Sequence, residues 1–200
     1  MRTILIVGED ALSCALGENL VHCFLPDWQT PLPSINTNGV TKLVTAIPRY
    51  LEQAKHFQPV LCIADTDRKC AKQLLERWLP QRQCDQFMLR LAVSEAESWL
   101  LADRSSLASY LGIAEKLISR TPEEEINPKG HLLNLAKKSG NRMLRSEIVS
   151  ATDPSKQGSG YNLHLCNFVK THRSAPRAAA SAPSLKRAIA RLEKLANQNH

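Results

Sequence analysis

Two aspartates one residue apart, Asp65 and Asp67, close the apolar run Val60-Leu-Cys-Ile-Ala64. An apolar run without alternation is the pattern of a strand covered on both faces of a parallel sheet. Both carboxylates would then sit at the strand's carboxyl end, where open α/β sheets bind ligands, and side chains two apart at a strand tip point to the same side. Carboxylates so placed repel unless a cation neutralises them, and hard oxygen donors suit Mg2+ or Mn2+ better than zinc. The simpler alternative makes one aspartate the cap of the next helix, expected near Lys69 to Trp78, and leaves the other solvated.

Two further acids follow strand-like runs. Thr3-Ile-Leu-Ile-Val7 leads into Gly8, Glu9 and Asp10, and Leu12, Leu16 and Leu20 then mark a helix over Ala11 to Val21. Glu9 thus arrives at a strand end as Asp65 and Asp67 do, and two adjacent parallel strands would gather all three carboxylates. Asp10 is placed to cap the helix. A third strand, Phe87 to Val93, leads into Ser94-Glu95-Ala-Glu97, where Ser94 and Glu97 have capping-box spacing. Glu97 would alternatively join the acidic cluster, and one residue could do both.

These acids need a scaffold of strands alternating with helices, and the intervening sequence supplies one. His22 to Asn38, with three prolines, reads as a loop containing a short strand, and Asn38-Gly39 as a turn. Leu43, Ile47, Leu51 and Ala54 mark a helix that Pro48 should disturb. Ala71, Leu74, Leu75 and Trp78 mark the next, closed by Pro80. Beyond residue 103 the pattern is helical: a helix after Pro128, another over Leu163 to Thr171, and a last one over Leu185 to Ala196 capped by Ser184. In that last helix Leu185, Ile189, Leu192 and Ala196 form the apolar stripe, and Lys186, Arg187, Arg191 and Lys194 face outward.

The 200 residues suffice for a real core, and 43% hydrophobic with 22% charged residues is ordinary for a soluble globular protein. The net charge of +7 hides an asymmetry: residues 1–125 carry 13 Lys and Arg against 16 Asp and Glu, residues 126–200 carry 13 against 3. An acidic half joined to a basic half suits a protein that handles phosphate, most simply a nucleic acid, with Lys129, Arg142, Arg145 and Lys156 as candidate contacts. The alternative is a solubilising basic tail. Six cysteines without metal-ligand spacing point to reduced thiols and no disulfide. His131 and His172 read as structural or solvated. A Gly-rich phosphate loop is lacking, no run approaches a membrane span, and the start does not read as a signal peptide, so a cytoplasmic location is expected.

Ile4-Leu-Ile-Val-Gly-Glu9, Ile63-Ala-Asp65-Thr-Asp67 and Glu95-Ala-Glu97-Ser-Trp99-Leu-Leu-Ala-Asp103 together resemble the Toprim-type domain, in particular small bacterial Toprim-like proteins related to OLD-family nucleases. Asn127-Pro-Lys129-Gly, Tyr161-Asn162, Phe168-Val169 and Ala182-Pro-Ser184-Leu185 extend the likeness over nearly the whole chain. The resemblance implies an α/β Toprim-like domain over residues 1–103 with a parallel sheet flanked by helices, and a basic helical extension over 104–200 packed on it. It implies Mg2+ or Mn2+ as cofactor, Glu9 as general base or ligand, Asp65 and Asp67 as ligands, and Glu97 as a further ligand. The implied activity is phosphodiester hydrolysis on DNA or RNA, in a bacterial defence setting with a separate ATPase as partner. One departure is visible: the family usually has Glu then Gly after its first strand, and here the order is Gly8-Glu9. Phosphatases of the haloacid-dehalogenase type want Thr or Val where Lys69 stands, and a phospho-receiver domain wants a later strand-end Lys where Ser94-Glu95 stands. The rival of another class is a non-catalytic nucleic-acid-binding or adaptor module whose acids are helix caps.

Overall fold

In the computed structural model, which describes residues 2–79 and 84–198, the first half alternates strands and helices. In chain order these are β1 (Arg2–Thr3), β2 (Leu5–Gly8), α1 (Ala11–Phe24), β3 (Trp28–Gln29), β4 (Ile35–Asn36), α2 (Val40–His56), β5 (Val60–Asp65), α3 (Ala71–Trp78) and β6 (Phe87–Ala92). The remaining described elements are helical: α4 (Glu97–Leu101), α5 (Arg104–Leu111), α6 (Pro128–Lys137), α7 (Arg142–Ile148), α8 (Tyr161–Thr171), α9 (Ala175–Ala179) and α10 (Pro183–Asn197), with short 3-10 turns at Glu115–Leu117 and Pro122–Glu124. The Pro80 stop lies outside the described residues. α2 runs through Pro48, which is exposed, so the missing amide falls on its wet side.

Four strands form a wholly parallel sheet in the order β4-β2-β5-β6. Alternation divides each strand between two cores. Leu5, Val7, Val60, Cys62, Ala64, Phe87, Leu89 and Leu91 pack with Leu43, Ile47 and Tyr50 of α2 and Leu74 of α3 on one face. Ile4, Ile6, Leu61, Ile63 and Met88 pack on the other face with α1, α4, α5, α6, α8 and α10. The protein is therefore α/β with a parallel sheet between two helical layers, and the second half supplies most of one layer.

The two halves are also joined by charge. Arg177 pairs with Asp103 at 2.5 Å, Lys170 with Glu18 at 2.9 Å, Arg191 with Asp85 at 3.5 Å and Lys129 with Glu97 at 3.8 Å. Arg173 is buried and donates to the Trp99 carbonyl and Asn19 Oδ1. Five of the thirteen basic residues of the second half are thus paired with acceptors of the first.

Three local expectations are corrected. Ser94 forms no capping box: it sits at φ +67, its hydroxyl has no partner, and α4 starts at Glu97 without a side-chain cap. Ser184 lies inside the first turn of α10, where its hydroxyl accepts from Trp99 Nε1 at 2.7 Å and donates to Glu123 at 2.6 Å. In α10 the apolar face closes with Leu195 in place of Ala196, and Arg191 turns inward, its side chain 15% exposed. Among the described residues no helix is long and apolar enough to cross a membrane.

Candidate functional site

The chain leaves β2 toward β4 on one side and returns through α2 to β5 on the other, so the strand order reverses between β2 and β5. In open α/β sheets the crevice at the carboxyl ends of such a pair is the usual ligand site. Glu9 and Asp65 end these two strands. The Gly8-Glu9 order has a local cause: a Cβ on Gly8 would come within 2.5 Å of the Cys14 amide nitrogen and 2.9 Å of the Asp10 carbonyl, so only glycine lets the chain turn into α1 here. Glu9 stays in the ladder beyond that turn, its amide donating to the Ile63 carbonyl at 3.2 Å. Asp10 caps α1, accepting from the Ser13 amide at 2.7 Å.

Glu9 and Asp65 face one another. Their carboxyl groups lie close enough to act on one another, which favours a proton on one of the two acids. Burial pushes the Asp65 carboxyl far above the usual carboxylate range, and the charges of Glu9, Glu97 and Asp10 add to the shift. Burial raises Glu9 as well, opposed by the nearby Asp65 amide. Asp65 Oδ1 is buried with no hydrogen-bond partner.

Glu97 enters from the start of α4, 5% exposed. Its Oε1 accepts the Tyr161 hydroxyl at 2.6 Å, and Lys129 Nζ lies 3.8 Å from the same oxygen and 5.1 Å from the Tyr161 ring centroid. Burial raises Glu97, against the lowering effect of Tyr161 and Lys129. Neighbouring Glu95 caps α6, accepting from the Lys129 amide at 2.9 Å. Tyr161 and Glu95 are parts of the site that the sequence reading did not single out. The Glu97–Tyr161 bond spans 64 residues and has no local pattern to announce it.

Asp67 stands apart. The strand ends at Asp65, Asp67 and Arg68 both adopt positive φ, and the alternation that would align the two aspartates stops there. The Asp67 side chain is 55% exposed, 3.9 Å from Lys69 Nζ, and reaches the cluster only through its charge acting on Glu9. Among the described residues no three Asp, Glu, His or Cys side chains converge closely enough to hold a metal ion among them.

The basic candidates separate. Lys129 belongs to the acidic cluster. Arg142 and Arg145 share the short α7, with Arg145 donating to the Ser139 carbonyl at 2.6 Å, and Lys156 pairs with Asp153 at 3.2 Å in the following loop. No family description, curated protein or solved structure matches the chain.

Chemically, the arrangement is a pair of half-buried carboxyls, one buried oxygen of which lacks any donor, at the carboxyl edge of the sheet with an acid–tyrosine–lysine group beside it. Mg2+ is commonly held by only one or two carboxylates, with water and substrate phosphate completing its shell. Glu9 and Asp65 fit that donor set.

Proposed function

We propose that the protein is a Toprim-type, Mg2+- or Mn2+-dependent enzyme that cleaves phosphodiesters of DNA or RNA. The observation that carries the reading is the buried, unpartnered Oδ1 of Asp65, whose carboxyl lies beside Glu9 at the point where the strand order reverses. A buried carboxylate persists when it is paired or coordinates a cation, and a neutral pair at this position would be chemically idle. Glu9 and Asp65 would hold the ion, Asp67 at the rim would meet its outer water, and the ion would supply charge neutralisation at the phosphate. Lys129, fixed over Tyr161 and Glu97, would orient a phosphate oxygen, and Glu9 would accept a proton from the attacking water. A bacterial defence role beside a separate ATPase, and a cytoplasmic site of action, belong to the same reading.

One observation favours the non-catalytic alternative. Glu95 and Glu97 both serve contacts within the fold, the first at the α6 amide and the second at Tyr161. Calorimetry with Mg2+ and Mn2+ on the native chain and on Asp65→Asn, both checked for folding, separates the two. Binding to the native chain alone, with cleavage of an oligonucleotide lost in the variant, supports the enzyme. Identical titrations for both proteins favour the binding module.

A further inference from the structure

Arg90 interrupts the otherwise apolar β6, the edge strand of the sheet. By alternation it shares the face of Met88 and Ala92, against which α10 packs. Arg187 and Arg191, one helical turn apart on α10, bring two more guanidinium groups whose charges act on Arg90. Arg90 Nε and Arg191 Nη1 are buried and have no hydrogen-bond partner. The only carboxylate bonded to the trio among the described residues is Asp85, whose Oδ1 lies 3.5 Å from Arg191 Nη2 and whose carbonyl accepts from the same nitrogen. Glu76 lines a recess with Arg90, but its own contact is Lys72, at 4.0 Å. Three cations therefore meet one exposed anion, and two of their donor nitrogens have no partner, although Arg90 and Arg191 as residues are only half-buried and Arg187 is exposed. Such an arrangement is costly unless an anion with several acceptor oxygens completes it.

We propose that Arg90, Arg187 and Arg191 form an oxyanion site that receives a backbone phosphate of a bound polynucleotide strand. Guanidinium groups present paired donors that match tetrahedral oxyanions, as a lysine cluster would not. Direction comes from Arg187, which also lines a cleft of about 590 Å3 that reaches Val93, together with Arg120, Thr121, Ser181 and two acids, Glu124 and the Glu123 already bonded to Ser184. Val93 is followed by the segment that carries Glu95 and Glu97, so a strand lying along this edge passes from the arginines to the acidic cluster. That the phosphate belongs to a nucleic acid rests on the proposed nuclease reading.

The test follows the arginine Nε–H resonances of the full chain, labelled with 15N-arginine, in EDTA. Inorganic phosphate is titrated against chloride at equal ionic strength, and then a short single-stranded oligonucleotide is added. The expected result is a saturable shift of Arg90 and Arg191 with phosphate, displacement by the oligonucleotide, and a roughly tenfold or greater loss of oligonucleotide affinity in Arg90→Gln. The magnitude of the salt slope should fall by roughly 0.7. Arg187→Gln, at an exposed position, should act in the same direction if Arg90→Gln fails to fold. Equal shifts in chloride and phosphate overturn the site. Phosphate binding that the oligonucleotide does not displace overturns the assignment to nucleic acid and leaves a free-phosphate site. Asp65→Asn should leave the arginine shifts intact, so failure of metal binding with these shifts preserved would reject the nuclease reading alone.

Discussion

Asp65 and Asp103 are the same residue type, both withdrawn from water, and their surroundings are opposite. Asp103 is fully buried and saturated: Arg177 Nε at 2.5 Å, Arg177 Nη2 at 3.1 Å and the Ser174 amide at 2.7 Å occupy its two oxygens. Asp65 has an empty Oδ1 and is surrounded by the charges of Glu9, Glu97 and Asp10. The closed carboxylate ties α9 to the end of α4 and carries stability. The open one receives no donor from the fold at Oδ1 and keeps that oxygen for something outside the chain.

The largest stability effect should follow from opening the closed site. Arg177→Met leaves Asp103 buried with one amide donor, a mechanism that in a fully buried pair costs about 3–5 kcal/mol. The Arg177 side chain is 52% exposed, so solvent screening reduces the expected loss to about 2 kcal/mol, read as a lower urea midpoint at unchanged slope.

The two sites should also respond to pH in opposite directions. Burial alone would raise Asp103, but its bonds to Arg177 and Ser174 hold it below the usual carboxylate range. A lowered acid is more easily ionised folded than unfolded, so its stabilisation is present above about pH 4 and is lost as pH falls through the folded value. Glu9, pushed up to about 7 by burial, and Asp65, raised further, keep protons that the unfolded chain releases near pH 4. Their stabilisation is therefore complete below about pH 4 and is lost as pH rises through neutrality. Without divalent ions the melting temperature should decline from pH 5 to pH 8. Asp65→Asn, which is neutral throughout, should flatten that decline. A decline of equal steepness in the variant would show that the acidic pair is not its source.

How much of this was readable in the chain depends on the range of the interaction. The strands ending at Glu9 and Asp65 and the helices between them follow from local apolar periodicity, and the structure has them within a few residues of their expected bounds. The cap of α1 by Asp10 is equally local. Asp67 failed to align with Asp65 because the backbone turns to positive φ immediately after the strand, a tertiary choice that Asp-Thr-Asp does not dictate. Ser94 had the spacing of a cap, but its own positive φ and the Thr66 hydroxyl, which accepts the Ser94 amide at 2.8 Å, set a different turn. Tyr161, Arg90 and the pairing of Arg177 with Asp103 depend on contacts across large sequence separations, so residue order could not reveal them. Charge counting found the asymmetry between the halves but could not show that several cations face inward.

Tyr161→Phe probes the boundary between the closed and open kinds of carboxylate. Glu97 has one strong donor in Tyr161 and a longer contact to Lys129. Removing the hydroxyl leaves a buried acceptor short of a partner, at a cost of about 1 kcal/mol, and raises the proton affinity of Glu97. Because the charge of Glu97 acts on Asp65, divalent-ion affinity should change together with stability. A change in stability with unaltered ion binding would place Glu97 with Asp103 as a structural acid.

Lys156→Ala should have the smallest effect on the fold and separates surface charge from the buried pairs. Lys156 is 74% exposed and meets Asp153 at 3.2 Å in a loop where Asp153 already accepts from the Ser155 amide and hydroxyl. Solvent screens such a pair, and its side-chain entropy opposes it. The melting temperature should therefore stay where it is. The informative readout is the salt dependence of oligonucleotide binding: a slope smaller in magnitude by roughly 0.7 marks Lys156 as a phosphate contact. An unchanged slope, beside a reduced one for Arg187→Gln, would place the nucleic-acid path along β6 and α10 and remove the α7 loop from it.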